Sequence, residues 1–213
     1  CVAEGARVVV HGLEAGPGER VAASLGSGNA ALVIEDITRE GAPERLVAAA
    51  IGSFGRLDAV VNNAAAVVSS DIGTTDLALL RQVLEANTVA PYALIRSALP
   101  YLSGVKGCVL NIGSVNAWSG DPNLLAYIIS KGALMTMTRN LGDTLHREYG
   151  VRVNQINPEW VLTEKEIERK RGHGLDEDWF RSLPPVYAPA GRLLEPKEVA
   201  AAAVYWLAEE SGP

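Results

Sequence analysis

Five short apolar runs punctuate the chain, at 7–11 (RVVVH), 31–35 (ALVIE), 57–62 (LDAVVN), 107–112 (GCVLNI) and 151–156 (VRVNQI). Each is continuous, not alternating, and rich in β-branched residues, which is how strands buried on both faces read. Segments of helical character lie between them, near 16–26, 41–54, 74–100 and 124–149, with a later one at 196–209. Pro43 and Pro196 fall in first turns, where a missing N–H has no partner to lose. Strand–helix–strand alternation predicts a parallel sheet with helices on both faces. Right-handed crossovers make it a doubly wound sheet in a three-layer α/β/α sandwich, a single domain over residues 1–213. Ligands of such sheets bind outside the carboxyl ends of the strands. The most irregular stretch, 163–190, carries charges, Gly172, Gly174, Pro184, Pro185 and Pro189, and suits a lid over a site.

At 213 residues the chain can bury one substantial core. Its 48% hydrophobic and 21% charged residues are the balance of a soluble globular protein. A net charge of −6, with no basic stretch, gives no reason to expect a nucleic-acid partner. No run of about 18 apolar residues speaks for a membrane span, and no cysteine–histidine spacing for a metal site. Cys1 and Cys108 are isolated, so a disulfide framework is not expected and a reducing cytoplasm is the default compartment. The features of a signal peptide are absent from the first residues. Instead "CVAEGARVVV" reads as the tail of a helix, a Gly turn and a strand, as if residues ahead of it were missing.

Three reactive side chains stand at fixed offsets in "SVNAWSGDPNLLAYIISK": Ser114, then Tyr127 thirteen residues on, then Lys131 four beyond it. At i and i+4 of a helix, Tyr127 and Lys131 share one face. A free phenol, with a pKa near 10, is a poor base at neutral pH, and an adjacent ammonium favours its ionised form. Such a pair can move a proton to or from a substrate oxygen. Ser114, directly after the run 107–112, stands where its hydroxyl can hold that oxygen. An ordinary Tyr and Lys on an ordinary helix is the competing reading. Asn63, Ala64 and Ala65 in "VVNNAAA" follow another run, where small residues admit a flat ligand or simply make a turn. Asp36 of "IEDIT" is placed to bond an adenine ring or to cap a helix. Asn87, inside the long helical pattern, needs partners if it faces inward.

The set Asn87, Ser114, Tyr127 and Lys131 resembles the catalytic tetrad of the short-chain dehydrogenase/reductase family in its simple form. The resemblance runs over essentially the whole chain, through "GARVVV", Asp36, "NNAA", "NIGS", "YIISK", "NPEWVLT" at 157–163 and "PAGRLLEPKEVA" at 189–200. It implies a Rossmann-like dinucleotide-binding catalytic domain, a nicotinamide cofactor and hydride transfer between a secondary alcohol and a ketone or aldehyde. Tyr127 would be the acid/base, Lys131 would lower its pKa and bond the nicotinamide ribose, and Ser114 would hold the substrate oxygen. Asn87 would bind a water linking Lys131 to solvent. Asp36 and Ile37 would flank the adenine, Asn63 to Ala65 would run along the cofactor, and Pro158, Val161 and Thr163 would contact the nicotinamide end.

The chain also departs from the family pattern. The glycine-rich first turn that cradles the pyrophosphate is not in the sequence, nor is the C-terminal strand. Ala65 and Glu159 stand where glycines are usual. Glu159 brings a carboxylate near the nicotinamide end, and a left-handed backbone there would strain it. At the end of run 7–11, Gly12 and Leu13 provide neither the acid that selects NAD nor an Arg that selects NADP; lack of the acid favours NADP. A catalytically silent cofactor sensor or scaffold is the alternative that these departures motivate. Sugar-nucleotide epimerases share the Tyr/Lys pair but carry a larger substrate domain. "VAPYALIRSALPYL" at 89–102 and "ALMTMT" at 133–138 are apolar around more than one face, which fits a homo-oligomer, dimer or tetramer, or core packing. Trp160, Trp179, Phe180 and Tyr187 lend the lid an apolar lining or pack within it.

Overall fold

The structure, a computed structural model, describes residues 1–172, 174–176 and 178–211. Strands β1 (Val8–Gly12), β2 (Ala30–Ile34), β3 (Ala59–Asn62), β4 (Cys108–Ile112) and β5 (Arg152–Ile156) fall within a few residues of the five apolar runs. Helices α1 (Ala15–Ser24) and α2 (Ala42–Phe54) follow β1 and β2, while α3 (Leu77–Leu84) and α4 (Ala90–Val105) follow β3. Then come α5 (Leu125–Tyr149) after β4, and α6 (Glu164–Gly172) and α7 (Pro196–Leu207) after β5. Every strand pairing is parallel. Among the described residues the strands form two sheets, β1 with β2, and β3–β4–β5 in that order.

The register of the larger sheet explains its core. Val60, Val109 and Val153 lie side by side across β3, β4 and β5. They pack with Val47 of α2, Ile95, Ala98 and Leu102 of α4, and Leu145 of α5. Burying each of the Val, Leu and Ile side chains contributes about 1.5–3 kcal/mol. Cys108, one position earlier, faces the other way, and its thiol reaches the Leu207 carbonyl of α7 at 3.7 Å. Helices thus cover both faces of this sheet. No residue of β1 or β2 is fully buried.

The stretch 74–100, expected as one helix, is α3, a π-helical turn at Glu85–Val89, and α4 in continuous succession. Pro91 gives the physical reason, because it lacks the N–H that an α-helix would direct to the Asn87 carbonyl. The start is late because the Asp76 side chain caps α3, accepting from the Leu79 N–H at 2.8 Å. The segment 163–190 is less irregular than expected, since it holds α6 and a 3₁₀ turn at Trp179–Ser182; residues 173 and 177 lie outside the described ones. Trp160 and Trp179 meet at 5.0 Å between ring centroids, and the Lys170 ammonium lies over both rings. These rings pack within the segment, whereas Tyr187 is exposed.

Candidate active site

Three chain segments converge at the carboxyl ends of β3, β4 and β5: residues 63–66, 113–117 and 157–163. Ser114 follows β4 in extended backbone and caps the 3₁₀ turn Val115–Ala117, its Oγ accepting from the Asn116 N–H at 3.1 Å. Tyr127 and Lys131 lie on the first turns of α5, with the ammonium 5.6 Å from the Tyr127 ring centroid. Lys131 is 3% exposed, and its Nζ donates to the Ile112 carbonyl at 2.6 Å, its single hydrogen bond among the described residues. Two of its N–H groups are left over, in a place where an unmatched donor is costly.

Burial sets the ionisation here. It holds the Lys131 ammonium down at about 8, from an ordinary 10.5. It pushes the Tyr127 phenol up from its ordinary value, while the neighbouring Ser114 hydroxyl pulls it the other way. The sequence-based expectation gave the lowering of the phenol to Lys131; in this arrangement the opposing pull comes from Ser114.

Asn87 sits in the π-helical turn, 1% exposed, with both amide N–H groups used. Its Nδ2 donates to the Ala66 carbonyl and to Ser130 Oγ, both at 2.9 Å, and its Oδ1 accepts from the Ala66 N–H at 2.7 Å. Its amide thereby ties the loop after β3 to α5, one residue from Lys131. Asn63, Ala64 and Ala65 stay exposed along that loop.

Pro158 accepts from the Val115 N–H at 3.2 Å, which fastens the loop after β5 to the loop after β4. Val161 bridges to Leu194, and Thr163 Oγ1 accepts from the Glu166 N–H at the start of α6. Glu159 is exposed, and among the described residues Lys106 is the one non-glycine with positive φ, so Glu159 carries no left-handed strain. Gly12, Leu13, Asp36 and Ile37 lie at the carboxyl end of the other sheet, where Leu13 is 70% exposed. Asp36 Oδ1 accepts from the Thr38 N–H at 2.9 Å and the Thr38 hydroxyl at 2.7 Å, a local turn that leaves Oδ2 free of partners among the described residues.

Sequence reasoning passed over a set of amides beneath Ser114. Asn62, Asn111 and Gln155 occupy one register row across β3, β4 and β5, two residues beyond the valine row. Thr138 of α5 lies between Asn111 and Gln155, and Asn157 follows. The signal was visible as an amide near the end of each of three otherwise apolar runs.

A model of the family described as Enoyl-(Acyl carrier protein) reductase matches residues 1–212. The chain belongs to the short-chain dehydrogenase/reductase family. L-fucose dehydrogenase of Rattus norvegicus is 36% identical over 176 residues, which are 82% of this chain and 64% of that enzyme, so the match spans under two thirds of the relative's length. NADP-dependent (R)-specific alcohol dehydrogenase of Lentilactobacillus kefiri is 29% identical over 99% of this chain and 82% of its own. In fold, this short-chain dehydrogenase/reductase superimposes on L-sorbose reductase from Gluconobacter frateurii, a structure with NADPH and L-sorbose, with a TM-score of 0.91 at 24% identity, covering 99% of this chain and 83% of that one. No helix of the described residues is long and apolar enough to cross a membrane.

Proposed function

We propose that this chain is the catalytic domain of an NAD(P)-dependent oxidoreductase that interconverts an alcohol, secondary by preference, and the matching ketone or aldehyde. The observation that carries the reading is Lys131: a buried ammonium with two unused N–H groups, one helical turn from Tyr127 and beside the loop of Ser114. That donor set fits the paired hydroxyls of a nicotinamide ribose. When bound, the cofactor supplies or takes up the hydride. The chain's own groups handle orientation and the proton. Ser114 holds the substrate oxygen, and Tyr127, kept protonated by burial, donates to that oxygen in reduction and recovers its proton in the reverse direction. Lys131 favours transient charge on the phenol. Asn87 holds the loop and helix that carry these groups, and a water reaching Lys131 through its amide finds the second lone pair of Oδ1 as the site still open.

Asp36 Oδ2 and Ile37 serve the adenine, Gly12 and Leu13 the adenosine ribose, Asn63 to Ala65 the cofactor's length, and Pro158, Val161 and Thr163 the nicotinamide end. The absence of an acid at Gly12–Leu13 and the NADP-dependent relative support NADP, and the L-fucose dehydrogenase relative supports a hydroxylated, sugar-like substrate. Exposed Tyr92, Tyr101 and Val105 of α4 and Ile129 and Tyr149 of α5 support a homo-oligomer formed through these helices. A cytoplasmic setting accords with the thiols Cys1 and Cys108 left free.

The test follows NADPH and NADH oxidation by the full-length protein against keto sugars, ketones and keto esters, with Tyr127→Phe beside it. Turnover is expected with one cofactor, reduced about 10²–10⁴-fold in the variant. Cofactor binding with no turnover across the panel would instead favour a silent sensor.

A further inference from the structure

The amides beneath the site run head to tail. Asn62 Nδ2 donates to Asn111 Oδ1 at 2.8 Å, and Asn111 Nδ2 donates to Thr138 Oγ1 at 2.8 Å. Thr138 Oγ1 lies 2.8 Å from Gln155 Oε1, and Gln155 Nε2 donates to Asn157 Oδ1 at 2.6 Å. The Leu134 carbonyl is equally close to Thr138 Oγ1, but a hydroxyl has one proton. Sending it to Leu134 would set two lone pairs of Thr138 and Gln155 against each other. Sending it to Gln155 aligns every donor along the row, and aligned hydrogen bonds polarise one another.

The row ends on the backbone of Ser114. The N–H groups of Gly113 and Val115 go to the carbonyls of Ile156 and Pro158, at 2.8 and 3.2 Å. The Ser114 N–H is instead caught by the side chain of Asn157, at 3.2 Å to Oδ1. Asn62, Asn111 and Thr138 are buried, so an apolar row would fill this space without the need to satisfy so many polar groups. Gly113 makes room for it, because a Cβ there would lie 2.1 Å from Asn157 Oδ1 and 2.2 Å from Gln155 Nε2.

We propose that Asn62, Asn111, Thr138, Gln155 and Asn157 form a positioning relay that fixes the backbone of Ser114, and with it the hydroxyl that holds the substrate oxygen. The relay ties the aim of Ser114 to three strands and α5, so a fault at Thr138, deep in the core, is felt at the site. The inference rests on the role given to Ser114 above.

Thr138→Val in the full-length protein removes the hydroxyl and keeps the shape. Turnover is expected to fall about 10²-fold, the effect of a small misplacement of a catalytic group. Thr138→Ser, which restores the hydroxyl, is expected to recover it. In a Ser114→Ala background Thr138→Val is expected to cost no further turnover, since groups acting as a unit are non-additive. A readout without cofactor is the titration of Tyr127, taken as the difference from Tyr127→Phe; it moves up in Thr138→Val as Ser114 loosens. Asn157→Ala cuts the last link at a half-buried position and serves if Thr138→Val does not fold. Equal losses in both backgrounds, or a Tyr127 titration that does not move, would overturn the relay. A Ser114→Ala variant with undiminished turnover would overturn the role of Ser114 itself.

Discussion

Lys131 keeps its ammonium at a depth where the folded protein pays for it. Its folded pKa of about 8 lies below the ordinary 10.5. Between those values the unfolded chain binds a proton that the folded chain does not, so stability rises with pH across that window. Below about pH 8 the full penalty stands, about 3 kcal/mol from the size of the shift. Lys131→Met is therefore expected to stabilise the protein by about 1–3 kcal/mol at neutral pH, less than the whole penalty because the Ile112 carbonyl loses its donor. The gain should fade as pH climbs towards 10.5, and denaturant unfolding across that range checks it. A variant less stable than the parent at neutral pH would contradict this account. A destabilising residue is retained at functional sites more often than in plain cores.

At the level of elements, two glycines show how tightly β4 is held. At Gly107 a Cβ would lie 2.4 Å from the backbone carbonyl of Asp58, which cannot give way. At Gly113 the obstacles are the ends of two side chains, though both are bound in the amide row. Gly107→Ala is expected to cost about 3 kcal/mol, the upper part of the overpacking range, and Gly113→Ala about 1–2 kcal/mol. Thermal unfolding orders the two, and the reverse order would refute the argument. The elements themselves were legible in the sequence, because continuous apolar runs and Pro43 and Pro196 mark strands and helix starts locally. That Ser114, Tyr127 and Lys131 would come together was legible by spacing, while Asn87 entered through the resemblance. The amide row was not, since Asn62, Asn111 and Gln155 become neighbours only once strand register is known. The π-helical turn at Asn87 was not legible for a different reason: Pro91 removes one N–H but does not dictate whether the helix breaks, kinks or widens.

Across the whole molecule, burial is uneven. The core gathers on β3, β4 and β5 with α2, α4 and α5, while β1 and β2 keep partial exposure along their length. In the 213-residue chain, native-state hydrogen exchange is expected to show β1 and β2 opening at lower free energy than β4 and β5. Uniform protection across all five strands would refute it. The unevenness also separates two kinds of change that this sequence can absorb. Surface positions on β1 and β2 can drift one at a time. The amide row cannot, because replacing an inner member orphans the neighbours on either side, and the intermediate is worse than both ends. Lineages that abandon the row must then pass through paired replacements, so Asn111, Thr138 and Gln155 should be inherited together or exchanged together.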